Sequence, residues 1–191
     1  MNEPTFATPP ESFLAAASAA EVHFEPDDLA RIGRYLELLY EANARMNLTA
    51  IREPEEVWSR HVLDSLTLLP WVLEMREKIG ETTRLIDIGS GGGLPGMVLA
   101  CVQPDLAITL LETTGKKARF LAETADSLGL ERVQVANDRA ESMGRDPVQR
   151  ESYHIVTARA VGPLNVLAEY AVPLAHPDGL VLAIKGAKAE A

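Results

Sequence analysis

Ten residues constrain this chain more than any others: Asp87-Ile88-Gly89-Ser90-Gly91-Gly92-Gly93-Leu94-Pro95-Gly96. They follow a short β-rich run, Arg84–Ile88, and open a helical segment, Leu94–Gln103. Glycine lets the backbone turn sharply and lets a ligand lie almost against it. Between a strand and a helix, such a loop marks the ligand crevice of an open α/β sheet. The rest of the C-terminal half agrees. Further β-rich runs at Ile108–Leu111, Val133–Ala136, His154–Thr157 and Leu180–Ile184 alternate with helical segments. Those segments are Lys116–Leu128, a short Arg139–Met143 turn and Leu164–Leu174. Continuous apolar strands separated by helices predict a doubly wound, mainly parallel α/β sheet covered on both faces. Its crossovers should be right-handed.

Upstream the period differs. After a Pro-rich start, the pattern is helical from Glu11 to Trp71, with Leu29, Ile32, Leu36, Leu39 and Tyr40 at three- and four-residue spacing. Pro26 and Pro54 suit first-turn positions, where a missing N–H costs nothing. Gly80 breaks the pattern. The expected organisation is residues 1–80 as a tail and helical cap on residues 81–191, an α/β ligand-binding domain, together one compact unit.

Composition excludes several classes. Cys101 is the only cysteine, so no internal disulfide or paired-cysteine zinc site is available, and four scattered histidines give no metal-ligand spacing. No run approaches the ~18 apolar residues of a membrane span. Glu3 and Glu11 stand where a signal peptide would be basic. These features predict a cytoplasmic, metal-free protein, with a monomer favoured. The net charge of -10 argues against a broad nucleic-acid-binding face. An RNA partner would have to meet a local basic patch, and its binding would be salt-sensitive.

Two cofactors fit the loop. Gly91-x-Gly93-x-x-Gly96 matches a dinucleotide fingerprint, and Glu112, ending the second strand, can accept both hydroxyls of a ribose. However, Asp87-x-Gly89-x-Gly91-x-Gly93 sets a carboxylate beside the turn. That arrangement resembles the methyltransferase motif, in which acidic groups face the cationic sulfonium and amino-acid part of S-adenosyl-L-methionine; a pyrophosphate would be repelled there. The chain is also short for a two-domain dehydrogenase.

A wider set of motifs comes in one order: Asn47-Leu48-Thr49-Ala50-Ile51-Arg52, Arg60-His61-Val62-Leu63-Asp64-Ser65, the Asp87–Gly96 loop, Leu110-Leu111-Glu112, Lys116-Lys117-Ala118-Arg119, Arg139-Ala140-Glu141 and Ala158-Arg159-Ala160. From Asn47 to Gly186 the chain resembles the glucose-inhibited division protein B family, bacterial methyltransferases of a guanine N7 in 16S ribosomal RNA. The resemblance implies a class I methyltransferase (Rossmann-like) fold, with S-adenosyl-L-methionine as cofactor and the assembled or assembling small ribosomal subunit as partner. It places Gly89, Ser90, Gly91 and Gly93 along the methionine part of the cofactor, with Asp87 and Leu94 also among the cofactor-binding residues. Glu112 would hold the ribose, and Ala140 with Glu141 the adenine edge. Family members continue past Lys185-Gly186 into a helix and an antiparallel strand pair. This chain ends at Ala191, so the resemblance implies that the C-terminal hairpin is missing.

N7 of guanine already offers a lone pair, so its methylation requires no general base. Alignment should dominate instead. Arg159, expected just past the fourth strand, is placed to grip RNA phosphate, the target base or the cofactor, or else to make a surface ion pair. His61 is placed either beside the target nucleotide or in the packing of cap on sheet. Asn47 and Arg52 could shape the same pocket or cap a turn. Lys116 and Arg119 open a helix, where cations oppose the macrodipole, as phosphate contacts or a solvated basic face. Lys185, ending the fifth strand, is a further RNA candidate. Two readings remain beside RNA methylation: a methyltransferase of small molecules, and a cofactor-binding remnant without turnover.

Overall fold

The computed structural model describes residues 6–159 and 162–184. The N-terminal region is helical, as expected, but in pieces: α1 (Glu11–Ala19), α2 (Asp28–Met46), α3 (Pro54–Val57), α4 (Asp64–Leu66) and α5 (Leu69–Ile79). Residues 20–27 and 47–53 interrupt the predicted run. Pro54 occupies the first turn of α3. Pro26 does not enter α2; it sits in the turn ahead of it, where Asp28 accepts the Glu25 N–H at 2.9 Å and pairs with Arg31 at 3.2 Å. Helix α2 buries Ile32, Tyr35, Leu36 and Leu39 on one face. It stops where Asn47 turns left-handed at φ 52°, a common helix ending. The side chain of Asn43 then folds the next turn. Its Oδ1 accepts from Leu48 N at 2.6 Å and Thr49 N at 2.9 Å, and its Nδ2 donates to Thr49 O at 2.9 Å.

Between α3 and α4 the rod is a π-helix, Trp58–Leu63, rather than the ordinary helix expected. A π turn holds one more residue than an α turn and re-aims the side chains that follow. Trp58, His61 and Val62 are all buried in it.

The remainder alternates as predicted: β1 (Arg84–Ile88), α6 (Gly96–Val102), β2 (Ala107–Leu111), α7 (Gly115–Ser127), β3 (Val133–Ala136), α8 (Ala140–Met143), β4 (Tyr153–Arg159), α9 (Leu164–Ala171) and β5 (Ala175–Ile184). The five strands form one wholly parallel sheet in the order β3-β2-β1-β4-β5. Two strand ends were misjudged. β4 runs on through Arg159, which is therefore its last residue, paired with Ile184 of β5. β5 starts at Ala175, five residues earlier than the apolar run suggested, across a register shift near Tyr153 and Ile155. Lys185, and with it any closing hairpin, lies outside the described residues. No described helix is long and apolar enough to cross a membrane.

The cores explain how the cap is attached. One sheet face buries Ile86, Ile88, Val156 and Leu167 with Met143. The other face, through Leu85, Ile108, Leu110 and Ile155, shares a single core with Phe13, Tyr35, Leu36, Trp58 and Val62 of the cap. Every residue of α6 is buried, because this helix is enclosed between sheet and cap.

Candidate active site

In the strand order, the chain reverses direction across the sheet between β1 and β4. Ligand crevices of open α/β sheets form at that point, outside the carboxyl ends of the strands. The glycine loop lies there. Gly89 N and Ser90 N donate to Leu111 O at 2.8 and 3.1 Å, tying the loop to the end of β2, and Gly93 N donates back to Ser90 O at 2.7 Å. Two glycines are sterically required. Gly93 has φ +106°, and a Cβ on it would come within 2.9 Å of Met97 Cβ and 3.1 Å of the Tyr35 hydroxyl. A Cβ on Gly96 would lie 2.4 Å from Leu110 Cδ2 and 2.9 Å from Asp87 Oδ2.

Asp87, expected to face the cofactor, is turned inward and fully buried. Oδ1 accepts from Thr157 Oγ1 at 2.9 Å, across the β1/β4 pair, and Oδ2 accepts from Gly96 N at 3.2 Å. Asp87 therefore clamps the loop to β4. Burial raises its pKa to about 6, against the hydrogen bonds and the Arg159 charge that favour the carboxylate. Ser90 is also buried and internally engaged, its Oγ donating to Asp87 O at 2.9 Å.

Glu112 follows β2 and bridges two turns. Oε2 accepts from Gly91 N at 2.9 Å and Oε1 from Thr114 N at 2.7 Å. Next to it opens a cavity of about 360 Å³ lined by Ile88, Gly89, Leu111, Thr113, Asp138, Arg139, Ala140, Glu141 and Tyr170. Gly89, Ala140 and Glu141 were expected in the site and line this cavity. Leu94 is buried in the core instead. Sequence reasoning missed Tyr170, which reaches the cavity from α9, and Asn137, whose Nδ2 donates to Glu112 O at 2.8 Å and Thr113 O at 3.0 Å. Their side chains meet the site through tertiary packing, and no local pattern announced them.

The cap supplies the other side. The Tyr35 hydroxyl donates to Gly92 O at 2.9 Å from within the core. His61 and Arg159, 98 positions apart, meet: Arg159 Nη1 lies 3.2 Å from His61 Nδ1. The predicted positioning candidates are thus brought together. Asn47, Arg52, Lys116 and Arg119 are exposed on the surface.

Burial, then the nearby Arg159 charge, lowers the pKa of His61 to about 4 from 6.5. At a pH between these values the unfolded chain carries this proton and the folded chain does not, so this group makes stability rise with pH. Asp87 works oppositely: between 3.8 and about 6 the folded chain holds the proton, so stability falls with pH. The two dependences oppose each other in wild type. In His61→Gln the His61 dependence is removed and the Asp87 dependence stays. Denaturant unfolding should therefore show the wild-type advantage over this variant growing as pH rises from about 4 to 6.5. A constant difference would mean that His61 is not buried neutral.

The parallel sheet, the glycine loop after β1, the acidic residue after β2 and the crevice between them make this a class I methyltransferase fold. A Klebsiella pneumoniae protein described as a candidate O-methyltransferase superposes with a TM-score of 0.57, at 17% identity, over 90% of this chain and 70% of its own. A Corynebacterium glutamicum protein does so at 0.53 and 17%, over 91% and 74%. At such identities the likeness concerns the fold alone. The chain belongs to the GidB family, described as rRNA small subunit methyltransferase G, whose family model matches residues 28–191. The ribosomal RNA small subunit methyltransferase G of Sorangium cellulosum is 49% identical over 183 residues, covering 96% of this chain and 74% of that one. The protein of the same description from Moorella thermoacetica is 39% identical, over 92% and 72%.

Proposed function

We propose that this protein transfers a methyl group from S-adenosyl-L-methionine to N7 of a guanine in 16S ribosomal RNA, acting in the cytoplasm on the small ribosomal subunit. The observation that carries the reading is family membership across residues 28–191. The cavity supports it, because its size suits a small-molecule cofactor. The residues around it also fit the cofactor. Glu112 has lone pairs left for a ribose after its two backbone bonds, and Ala140 with Glu141 borders the cavity where an adenine would lie. Bound there, S-adenosyl-L-methionine supplies an electrophilic methyl on a good leaving group.

The chain's own task is then to align the acceptor, since N7 needs no proton removed. The groove of an RNA duplex that presents N7 is too deep and narrow for side chains. The acceptor is therefore an unpaired or extruded guanine. Arg159, at the carboxyl end of β4 beside His61, is the group we assign to hold it or its phosphate. Asn47, Arg52, Lys116 and Arg119 are assigned to the surrounding RNA, Lys185 on sequence grounds alone.

Replacing Arg159 with Ala should lower methyl transfer to small subunits by on the order of tenfold to a hundredfold, with S-adenosylhomocysteine affinity nearly unchanged. Equal losses in both would place Arg159 on the cofactor instead. The primary test is transfer of labelled methyl to undermethylated small subunits, followed by nucleoside chromatography. Label in N7-methylguanosine is the expected result. Cofactor binding without any RNA labelling would favour a small-molecule acceptor, which the charge of -10 suits better.

A further inference from the structure

Thr49 stands in the turn between α2 and α3, and its hydroxyl is 2.7 Å from His61 Nε2. The other ring nitrogen, Nδ1, has two neighbours at 3.2 Å: Arg159 Nη1 and the carbonyl of Arg60. These neighbours ask for different things. A guanidinium only donates, a carbonyl only accepts, and neutral imidazole has one N–H and one lone pair. Nδ1 therefore serves either Arg159, with its lone pair, or the Arg60 carbonyl, with a proton. His61 is neutral near pH 7, because burial and the adjacent Arg159 and Arg60 charges disfavour its cation. Asp64, the nearby acid, has its own pKa raised by burial.

The acceptor on the far side is built. Thr49 Oγ1 accepts from Ile51 N at 3.2 Å, and three bonds from Asn43 hold the Leu48–Thr49 backbone. The Thr49 O–H can turn to the Tyr40 oxygen, its side-chain hydrogen-bond partner, which leaves one Oγ1 lone pair for a proton on Nε2.

We propose that Thr49 is a positioning residue: it keeps His61 as the Nε2–H tautomer, whose Nδ1 lone pair holds the Arg159 guanidinium at the carboxyl end of β4. A neutral acceptor orients the guanidinium without neutralising it. Among the described residues no carboxylate lies within ion-pair distance of Arg159. Asp87 and Asp64 offset its charge only from beyond that distance, whereas a carboxylate in the place of His61 would pair with it directly. The kinetic consequence rests on the methyl-transfer reading above; the tautomer does not.

The test uses the full chain with ¹⁵N-labelled histidine, His61 being assigned from the His61→Gln spectrum. Long-range ¹H–¹⁵N correlations should show the proton on Nε2 in wild type. Thr49→Val should move His61 towards the Nδ1–H form and lower kcat for methyl transfer by on the order of tenfold, leaving S-adenosylhomocysteine affinity within about twofold. Thr49→Ser should restore both tautomer and rate. A proton on Nδ1 in wild type overturns the proposal. So does a Thr49→Val protein that keeps either the wild-type tautomer or the wild-type rate. Thr49→Ala, which also lacks the hydroxyl, supplies the same comparison if Thr49→Val fails to fold. A wild-type protein that labels no RNA would defeat the proposed function and leave the tautomer result standing.

Discussion

Glu112→Ala is expected to weaken S-adenosylhomocysteine binding by on the order of a hundredfold, about 3 kcal/mol at 25 °C. Each carboxylate oxygen already accepts one backbone N–H, from Gly91 on one side and Thr114 on the other. Alanine removes the remaining lone pairs that would meet ribose hydroxyls, where bonds to a charged acceptor are worth roughly 1.5–3 kcal/mol each. It also frees two N–H groups that now fix the walls of the crevice. Glu112→Gln, which keeps the shape but replaces one acceptor oxygen with a donor, should lie between wild type and alanine. Isothermal titration calorimetry measures all three, and an alanine variant binding as well as wild type would remove Glu112 from the ribose site.

The largest effect on stability is expected at Gly96. The added methyl of Gly96→Ala would meet Leu110 Cδ2 at 2.4 Å and the Asp87 carboxyl at 2.9 Å. Overfilling a packed interior typically costs ~1–3 kcal/mol, and here the displaced group is a buried carboxyl. Once Asp87 moves, its bonds with Gly96 N and Thr157 Oγ1 lengthen as well. For a chain of this size Tm should fall by roughly 5–10 °C, and cofactor binding should weaken with it. Unchanged melting in calorimetry would show that Leu110 and Asp87 yield freely.

The sheet was legible because parallel strands covered on both faces spell themselves as largely apolar runs, as Ala107–Leu111 does with Thr109 its one polar residue. Gly93 and Gly96 were legible as members of the glycine motif, although side chains that crowd a Cβ there, Tyr35 and Leu110, come from other elements. β5 was under-read because His176, Pro177, Asp178 and Gly179 interrupt its apolar pattern. The π-helix was missed because π and α turns draw on similar residues, and packing around Trp58 and His61 decides between them. In the site, residue types pointed to chemistry but not to orientation. Asp87 has the composition of a cofactor ligand, yet Thr157, 70 positions away, turns it inward. Tyr170 and the Thr49–His61–Arg159 relay depend on contacts between distant elements.

The bond from Tyr35 to the Gly92 carbonyl has a thermodynamic consequence. Helix α2 and the glycine loop share one packed core, so opening the helix loosens the loop. A ligand that favours the closed loop must, by reciprocity, favour the docked helix to the same extent. Cofactor occupancy should therefore slow amide hydrogen exchange along Asp28–Met46, a helix with no residue lining the cavity beside Glu112.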